Sequence, residues 1–265
     1  MCLLVVLFQL DPAVPVVIAA NRDEYHARPA CAMTAFEDAA GPGGRILGGL
    51  DHVSGGSWLA VNEAGVVAGL TNRPLPDGPD RAKRTRGELP LRLVRHASAA
   101  AAVEAFVDGV RPADYNPAWL LVADRTHLFF VDVTGDDGVM VEELPAGVHV
   151  LENRGLHEPS PKADRVRALL GADAGRCRHT RVDELAAMLG DHQPPIAEAP
   201  ELQPEPSSRL ASEAQRICVH DPADGYGTRS SSIITLGSAA SSAPDVRYTD
   251  GAPCEAPWHS AHDLW

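Results

Sequence analysis

The sequence has little positive charge and no long stretch of it. Its 23 Lys and Arg residues are outnumbered by 36 Asp and Glu residues, which gives a formal net charge of −13 at pH 7. The densest basic segment is the short patch at residues 81–86. A surface with this net charge repels phosphate backbones and anionic lipids. The sequence therefore argues against nucleic acid or a membrane surface as a partner.

Long apolar runs are also missing. The run at residues 3–8 follows no basic stretch. Gln9, Asp11 and Pro12 then end it well short of a signal peptide or a membrane-spanning segment. We therefore expect a cytoplasmic protein that does not insert into a membrane.

The cysteines lack the spacing of a zinc site or of a disulfide framework. There are five, at positions 2, 31, 177, 218 and 254, and no two of them form a C-x-x-C pair. Cys31 and Cys218 lie in or near apolar segments and are interpreted as packing residues, whereas Cys254 lies in a Pro-rich tail and is expected to be exposed. The sequence predicts reduced thiols.

Histidines and glycines likewise lack the spacing of a cofactor site. The pairs His149 and His157, and His259 and His262, have no companion cysteine or carboxylate at ligand spacing. The glycines at 41–49 are followed by no Gly-Lys-Ser/Thr and form no Gly-x-Gly-x-x-Gly that opens a helix. We therefore expect no dedicated metal site and no nucleotide-binding loop.

Apolar runs and helical patterns come in blocks. Strands are predicted at residues 3–8, 14–20, 58–61, 66–70, 118–123, 128–133, 217–220 and 231–236, and helices at 88–96, 98–110, 161–170 and 182–189. A doubly wound parallel sheet needs a crossover helix after nearly every strand, so this order predicts antiparallel sheets covered by helices, an α+β fold. One domain over residues 1–265 is expected, with the Pro-rich segment 193–208 as a surface excursion.

The second residue is a cysteine at the start of the first predicted strand. Methionine is generally removed before a small second residue, which would give Cys2 both a thiol and a free α-amine. An α-amine has an unperturbed pKa of about 7.7–8.0 and can take the thiol proton near neutral pH. Position alone leaves two interpretations open: a nucleophile that carries its own base, or an inert thiol in a buried strand.

A polar cluster, Asn-Arg-Asp-Glu at 21–24, follows the predicted strand 14–20 and is expected in a loop at the edge of a sheet. Alone it would be interpreted as a solvated turn. With Cys2, however, five motifs in order resemble the NRDE-motif, or transport-and-Golgi-organisation, family: AANRDE at 19–24, GSWLAVN at 56–62, LTNRP at 70–74, LENR at 151–154 and YGTRSSS at 226–232. The resemblance runs from Met1 to about residue 236.

The resemblance implies a four-layer αββα sandwich of two antiparallel sheets. This is the N-terminal-nucleophile hydrolase fold of choloylglycine hydrolases and penicillin V acylases, which cleave unactivated amides with an N-terminal cysteine. In that superfamily an aspartate that matches Asp23 would hold the α-amine of Cys2 and raise its basicity. Asn72 matches the superfamily's oxyanion-hole donor but lies one residue later than in the usual pattern. Thr71, at the usual position, is therefore an alternative candidate for that role.

Two further residues match the superfamily, and one position departs from it. Asn153 and Arg229 match an asparagine and an arginine that would polarise the site around the thiolate. Those hydrolases also place an arginine three residues before the aspartate. Here that position is Ala20, and Arg22 directly precedes Asp23, where it would point to the opposite face of an extended chain. This departure favours a binding function.

Two functions therefore stay open. The first is an N-terminal-cysteine amidohydrolase or acyltransferase that needs no cofactor and acts on the amide or thioester of a small, partly apolar acyl group. The second, suggested for relatives in the resembled family, is a non-catalytic protein that binds and hands over haem or an acyl-CoA-type ligand, with Cys2 as a binding or axial ligand. The residues expected to bind the substrate or ligand are Asn21, Arg22, Trp58, Thr71 and Tyr226. The oligomeric state stays open.

Overall fold

The computed structural model describes residues 2–36, 41–135, 138–171, 181–194 and 215–265. Its strands are β1 (Cys2–Phe8), β2 (Val16–Tyr25), β3 (Ala30–Ala35), β4 (Ile46–Asp51), β5 (Leu59–Asn62), β6 (Val67–Asn72), β7 (Ala118–Ala123), β8 (Leu128–Val133), β9 (Val139–Glu143), β10 (Gly147–Leu151), β11 (His220–Asp221), β12 (Tyr226–Leu236), β13 (Asp245–Thr249) and β14 (Trp258–Ser260). The helices are α1 (Glu88–Leu93), α2 (Ala99–Gly109), α3 (Pro161–Leu170) and α4 (Arg181–Leu189). Among the described residues, no helix combines the length and the apolar character needed to cross a membrane.

The first sheet is built from both ends of the chain. Its order is β10-β1-β2-β12-β13-β14, with β11 paired to β12, and every pair is antiparallel. β12 pairs with the whole of β2, from Leu236 opposite Val16 to Tyr226 opposite Tyr25. The polar end of β2 is therefore held between β1 on one side and β12 on the other.

The second sheet is a meander of chain neighbours. Its order is β3-β4-β5-β6-β7-β8-β9, so each strand pairs with the next one along the chain. The turn after Asn62 joins β5 to β6, and Gly65 takes a positive φ of 90° there. This left-handed conformation is readily available to glycine.

Alternation along β1 shows how the layers are stacked. The even-numbered residues 4–8 face the core between the two sheets. The odd-numbered residues 3–7 face the opposite side, where they share a core with Val166 of α3 and Leu185 of α4. Helices α1 and α2 cover the outer face of the second sheet. This is the predicted four-layer αββα sandwich of an α+β protein.

Several predicted elements match closely, and others need correction. The helix at 161–170 and the strands at 118–123 and 128–133 are confirmed to the residue. The prediction that the Asn-Arg-Asp-Glu cluster lies in a loop is wrong, because β2 runs on to Tyr25: it pairs with β12 as far as Tyr25 and with β1 as far as Arg22. β12 starts at residue 226 instead of 231, and the strand predicted at 217–220 shrinks to β11. The Pro-rich segment 193–208 lies, after its first two residues, outside the described residues.

Candidate active site

The polar end of β2 sends its side chains to two different faces. The Asn21 amide donates to the carbonyls of Leu189 and Ile217, both at 2.9 Å, on the side of α4. Arg22 points the other way and places its guanidinium 4.4 Å from the ring centroid of Trp58 in the second sheet's loop. Strand alternation thus puts Arg22 in the space between the sheets and Asp23 on the helix side.

Asp23 is fully buried and held by several groups. Its Oδ1 accepts a hydrogen bond of 2.7 Å from the Thr228 hydroxyl, and its backbone carbonyl accepts one of 3.0 Å from the Tyr226 hydroxyl. Its Oδ2 lies 4.0 Å from Nζ of Lys162, and the two side chains are 0% and 1% exposed. A buried carboxylate needs such partners, because removal from water disfavours its charged form.

Lys162 reaches Asp23 from the first turn of α3. Ser160 caps this helix: its hydroxyl accepts from the Ala163 amide at 3.0 Å and donates to the carboxylate of Glu152. Lys162 and Val166 are four residues apart on the buried stripe of α3, so the lysine points at the first sheet. Sequence reasoning missed Lys162, and the only signal was a charged residue at an apolar position of the helical pattern.

A cleft of about 790 Å³ opens between the sheets beside Arg22. Its apolar part includes Trp58 and Leu70. The charged residues of its lining are the cations Arg22, Arg28, Arg81, Lys83, Arg84 and Arg86 and the acids Asp23, Glu24, Asp51 and Asp80. Cations exceed acids here although the whole chain has a net charge of −13. The cleft is therefore a locally positive site in an acidic protein.

Some of these cations are already paired. Arg28 donates to Oδ2 of Asp51 at 2.6 Å, and Arg84 contacts Glu88 at 2.5 Å. Partial burial opposes the ionisation of Asp51, but the Arg28 hydrogen bond and backbone donors outweigh it, so the pKa of Asp51 lies below its ordinary value. No ion pair joins Arg81 or Lys83 to another described residue. These two are the cations best placed to meet an anionic ligand.

The two predicted oxyanion-hole candidates occupy different environments. Asn72, at the end of β6, is exposed and lines the cleft, and its backbone carbonyl accepts a hydrogen bond of 2.5 Å from the Asn153 amide. Thr71 is fully buried, and its hydroxyl makes no hydrogen bond to any described residue. The structure thus places Asn72 at the cleft, brings Asn153 into contact with it and leaves Thr71 in the core.

Three other predicted residues lie away from the cleft lining. Arg229 donates to the carbonyls of Tyr25, His26 and Arg28, at 2.7 to 3.3 Å, and so closes the turn after β2. Asn21 joins α4, the segment at 217 and β12, and Tyr226 fixes the backbone at Asp23. In the structure these three side chains position the end of β2.

Cys2 lies directly opposite Arg22 in the pairing of β1 with β2. Its backbone is therefore at the cleft end of β1, whereas its side chain lies outside the described part of the structure, and its role stays a prediction. Ala20 is buried in the core between the sheets, on the same face as Arg22. Arg22 and Asp23 point to opposite faces of β2, as the sequence predicts. An arginine at position 20 would lie on the same face as Arg22, so the Arg22 guanidinium occupies the side of the sheet where that arginine would be.

Two antiparallel sheets enclosed by helices, with the N-terminal strand inside one sheet, define the N-terminal-nucleophile hydrolase fold. A mutant conjugated bile acid hydrolase from Clostridium perfringens shares it with a TM-score of 0.55 and 10% identity, over 99% of this chain and 93% of that one. An N-acylethanolamine-hydrolyzing acid amidase ortholog from Caenorhabditis elegans has a TM-score of 0.53 and 12% identity, over 92% and 98%. At such identities the similarity shows the fold.

The chain belongs to the Transport and Golgi organisation 2 family, whose model matches residues 1–243. It is 29% identical over 255 residues to the Transport and Golgi organization protein 2 homolog of Bos taurus. It is also 29% identical over 258 residues to that of Homo sapiens. Each alignment covers 88% of this chain and 88% of the relative.

Proposed function

We propose that the protein is an N-terminal-cysteine amidohydrolase or acyltransferase for the amide or thioester of a small, partly apolar acyl group that also carries a negative charge. The observation that carries this proposal is the buried Asp23, which is held by Thr228 and Lys162 next to the strand position opposite Cys2. The hydrolase fold of the structural neighbours supports it.

The reaction starts from Cys2 after Met1 has been removed. The α-amine takes the thiol proton, and the thiolate attacks the carbonyl carbon of the substrate. Amide groups of Asn72 and Asn153 stabilise the oxyanion of the tetrahedral intermediate. When that intermediate collapses, the amine gives its proton to the departing nitrogen or sulfur, and water or a second amine then releases the acyl group from Cys2.

Asp23 acts on the α-amine in this scheme. A carboxylate beside the ammonium form raises the basicity of the amine, and it also orients the amine towards the thiol. Lys162 and Thr228 act through Asp23, because they hold its carboxylate in one position inside the protein. They are therefore positioning residues.

The lining of the cleft supports the choice of substrate class. Trp58, backed by the Arg22 guanidinium, and Leu70 offer apolar surface for an acyl chain. Arg81 and Lys83 offer positive charge for a carboxylate, sulfonate or phosphate group. A neutral acyl amide would leave these two cations without a counter-charge.

The first test is intact-protein mass spectrometry before and after a low concentration of an electrophilic acyl probe. We expect Met1 to be absent, and we expect labelling at Cys2 that increases with pH. Cys2→Ser should lower turnover of a hydrolysed acyl amide by about 10³-fold or more and keep its binding. Cys31→Ser is the matched control and should change neither. Retained Met1, or equal labelling of Cys2→Ser, would contradict the mechanism.

The second candidate is a carrier for an anionic acyl-CoA-type ligand, and the excess of cations in the cleft favours it. Under this alternative Cys2→Ser leaves binding of the ligand unchanged, and no turnover is detected with either protein. Haem fits the cleft less well. The described residues that line it include no histidine, methionine or tyrosine for the iron, so an axial ligand would depend on Cys2 alone.

A further inference from the structure

Four side chains with metal-binding atoms meet on the helix side of the first sheet, outside the cleft. They are His192, Cys218, His220 and Cys254, and their donor atoms all lie within 4.8 Å of one another. His192 follows α4, Cys218 and His220 flank one residue at the start of β11, and Cys254 lies between β13 and β14. Three segments that are remote in sequence therefore converge on one point.

The spacing of three of these atoms is close to that of a tetrahedral zinc site. With Zn–S bonds of about 2.3 Å and Zn–N bonds of about 2.0 Å, two sulfurs lie about 3.8 Å apart and a sulfur and a nitrogen about 3.5 Å apart. The two sulfurs of Cys218 and Cys254 are 3.7 Å apart. Nε2 of His220 lies 3.6 Å from the Cys218 sulfur and 3.2 Å from the Cys254 sulfur.

The fourth member, His192, has a ring nitrogen within 4.8 Å of the other three donor atoms. Nδ1 of His192 lies 3.3 Å from the Cys218 carbonyl, and because a carbonyl only accepts, this nitrogen is the donor. That leaves Nε2 of His192 with the lone pair that a metal needs. A histidine that binds a metal with one nitrogen and donates to a backbone carbonyl with the other is a common arrangement. The rings of His192 and His220 are 4.9 Å apart.

The backbone holds these residues in place without a metal. The Cys218 amide donates to the Asp191 carbonyl at 2.9 Å, and the Asp191 carboxylate is held by Arg165 of α3. The amide of Val219, which lies between Cys218 and His220, donates to the Thr228 hydroxyl at 2.9 Å. That same hydroxyl donates to Asp23, so the cluster lies two hydrogen bonds from the proposed active site.

We propose that His192, Cys218, His220 and Cys254 bind one zinc ion as a closed Cys2His2 site. On binding, the two thiols lose their protons to solvent and coordinate as thiolates, and the two imidazoles coordinate as neutral ligands. Four protein ligands complete a tetrahedron and leave no position for substrate, so the ion is structural. Two nitrogen and two sulfur donors in this geometry favour zinc over magnesium or calcium.

The zinc joins three parts of the chain that are far apart in sequence. His192 and Cys218 stand on either side of residues 195–214, which lie outside the described part of the chain. Cys254 adds a segment beyond residue 243, where the match to the family model ends. Closing a chain loop between ligands in this way restricts the unfolded state most when the loops are long.

The test is the metal content of the purified full-length protein, measured by inductively coupled plasma mass spectrometry. We expect one zinc ion per chain. Cys254→Ser and His192→Ala are the main variants, because both side chains are exposed and their loss leaves the core intact. Each should lose most of the zinc, with the far-ultraviolet circular dichroism unchanged. Cys31→Ser and Cys2→Ser are matched controls and should keep it, which separates this site from the proposed nucleophile.

Cobalt replacement supplies a second measurement. Co²⁺ added to zinc-depleted protein should give the intense visible bands of a tetrahedral ion and a thiolate charge-transfer band in the near ultraviolet, and Cys254→Ser should remove the latter. Zinc-free protein that gives no cobalt spectrum would overturn the proposal. So would zinc retained in both variants, or a Cys218–Cys254 disulfide found by non-reducing mass spectrometry of protein purified without oxidant.

Discussion

Lys162 is a fully buried cation whose Nζ lies 4.0 Å from Oδ2 of Asp23 and makes no hydrogen bond to any described residue. Burial of a charged group is costly, and an opposite charge beside it reduces that cost. Removing one partner of such a pair leaves an uncompensated buried charge, which destabilises more than the intact pair stabilises. The pair therefore places a carboxylate beside a cation at the end of β2, where the proposed mechanism needs the carboxylate.

We expect Lys162→Met to lower the free energy of unfolding by about 3–5 kcal/mol, because Asp23 is left charged and buried. Urea unfolding followed by circular dichroism measures this change. The Asp23→Asn, Lys162→Met double variant should lose less than the sum of the two single variants, since the second substitution removes the stranded charge. Strict additivity would show that the two side chains do not interact.

The residues that sequence reasoning found and missed differ in one physical respect. Asp23, Asn72 and Asn153 belong to short sequence motifs, and the structure places Asp23 and Asn72 at the cleft and Asn153 in contact with Asn72. Lys162 carries no motif. The proposed zinc ligands include one close pair, Cys218 and His220, but His192 lies 26 residues before Cys218 and Cys254 lies 36 residues after it, so local spacing does not reveal the full set.

Strand β2 shows why the sequence predicts a loop for the polar residues 21–24. A strand buried on both faces usually reads as a continuous apolar run, and the change to Asn-Arg-Asp-Glu looks like its end. Each polar group is instead satisfied by a partner that only tertiary structure supplies: carbonyls for Asn21, the Trp58 ring for Arg22, and Thr228 with Lys162 for Asp23. The motif extends the strand because β1 continues beside it as far as Arg22 and β12 as far as Tyr25.

Asp124 connects two elements of the second half of the sandwich. One carboxylate oxygen accepts from the Ala99 amide at the start of α2, and the other accepts from the amides of Thr126 and His127 in the β7–β8 turn. Burial opposes its ionisation, but these backbone donors outweigh burial and hold the pKa of Asp124 below its ordinary value of 3.8.

We expect Asp124→Asn to lower the free energy of unfolding by roughly 1.5–3 kcal/mol at neutral pH. A lowered folded-state pKa stabilises the protein fully above the unfolded-state pKa, and this contribution is lost as the pH falls through the folded-state pKa. The difference in the free energy of unfolding between the native protein and the variant should thus be constant above about pH 5 and should decrease at lower pH. Urea midpoints across this range measure it, with Asp108→Asn on the exposed face of α2 as the control. A difference in the free energy of unfolding that increased on acidification would contradict the lowered pKa of Asp124.

At the scale of the whole molecule, charge is distributed unevenly. A net charge of −13 repels anions in general, whereas the cleft lining holds six cations against four acids. An excess of positive charge in a cleft raises the local concentration of anions. An anionic substrate is therefore drawn to the cleft in preference to the rest of the surface.

We expect the Arg81→Ala, Lys83→Ala double variant to weaken binding of an acyl probe with a terminal sulfonate by about five- to tenfold at low salt. Isothermal titration into the Cys2→Ser background measures this without turnover. The difference should shrink in high salt, because exposed charges are screened. The neutral amide of the same acyl chain is the ligand control, and Arg111→Ala, at a cation outside the cleft lining, is the protein control. If the double variant bound the sulfonate probe and the neutral amide with equally reduced affinity, the cleft would not recognise the charge of its ligand.

The two sheets also differ in when they can be completed. The second sheet pairs only chain neighbours, so every strand has its partner as soon as the next one has been synthesised. The first sheet places β2 between β1 and β12. Residues that pair between β2 and β12 are some two hundred residues apart in sequence. A growing chain therefore carries β2 with one open edge, and Asp23 without Thr228, until nearly the whole protein has left the ribosome. The assembly of the proposed active site is thus among the last events in the folding of the nascent chain.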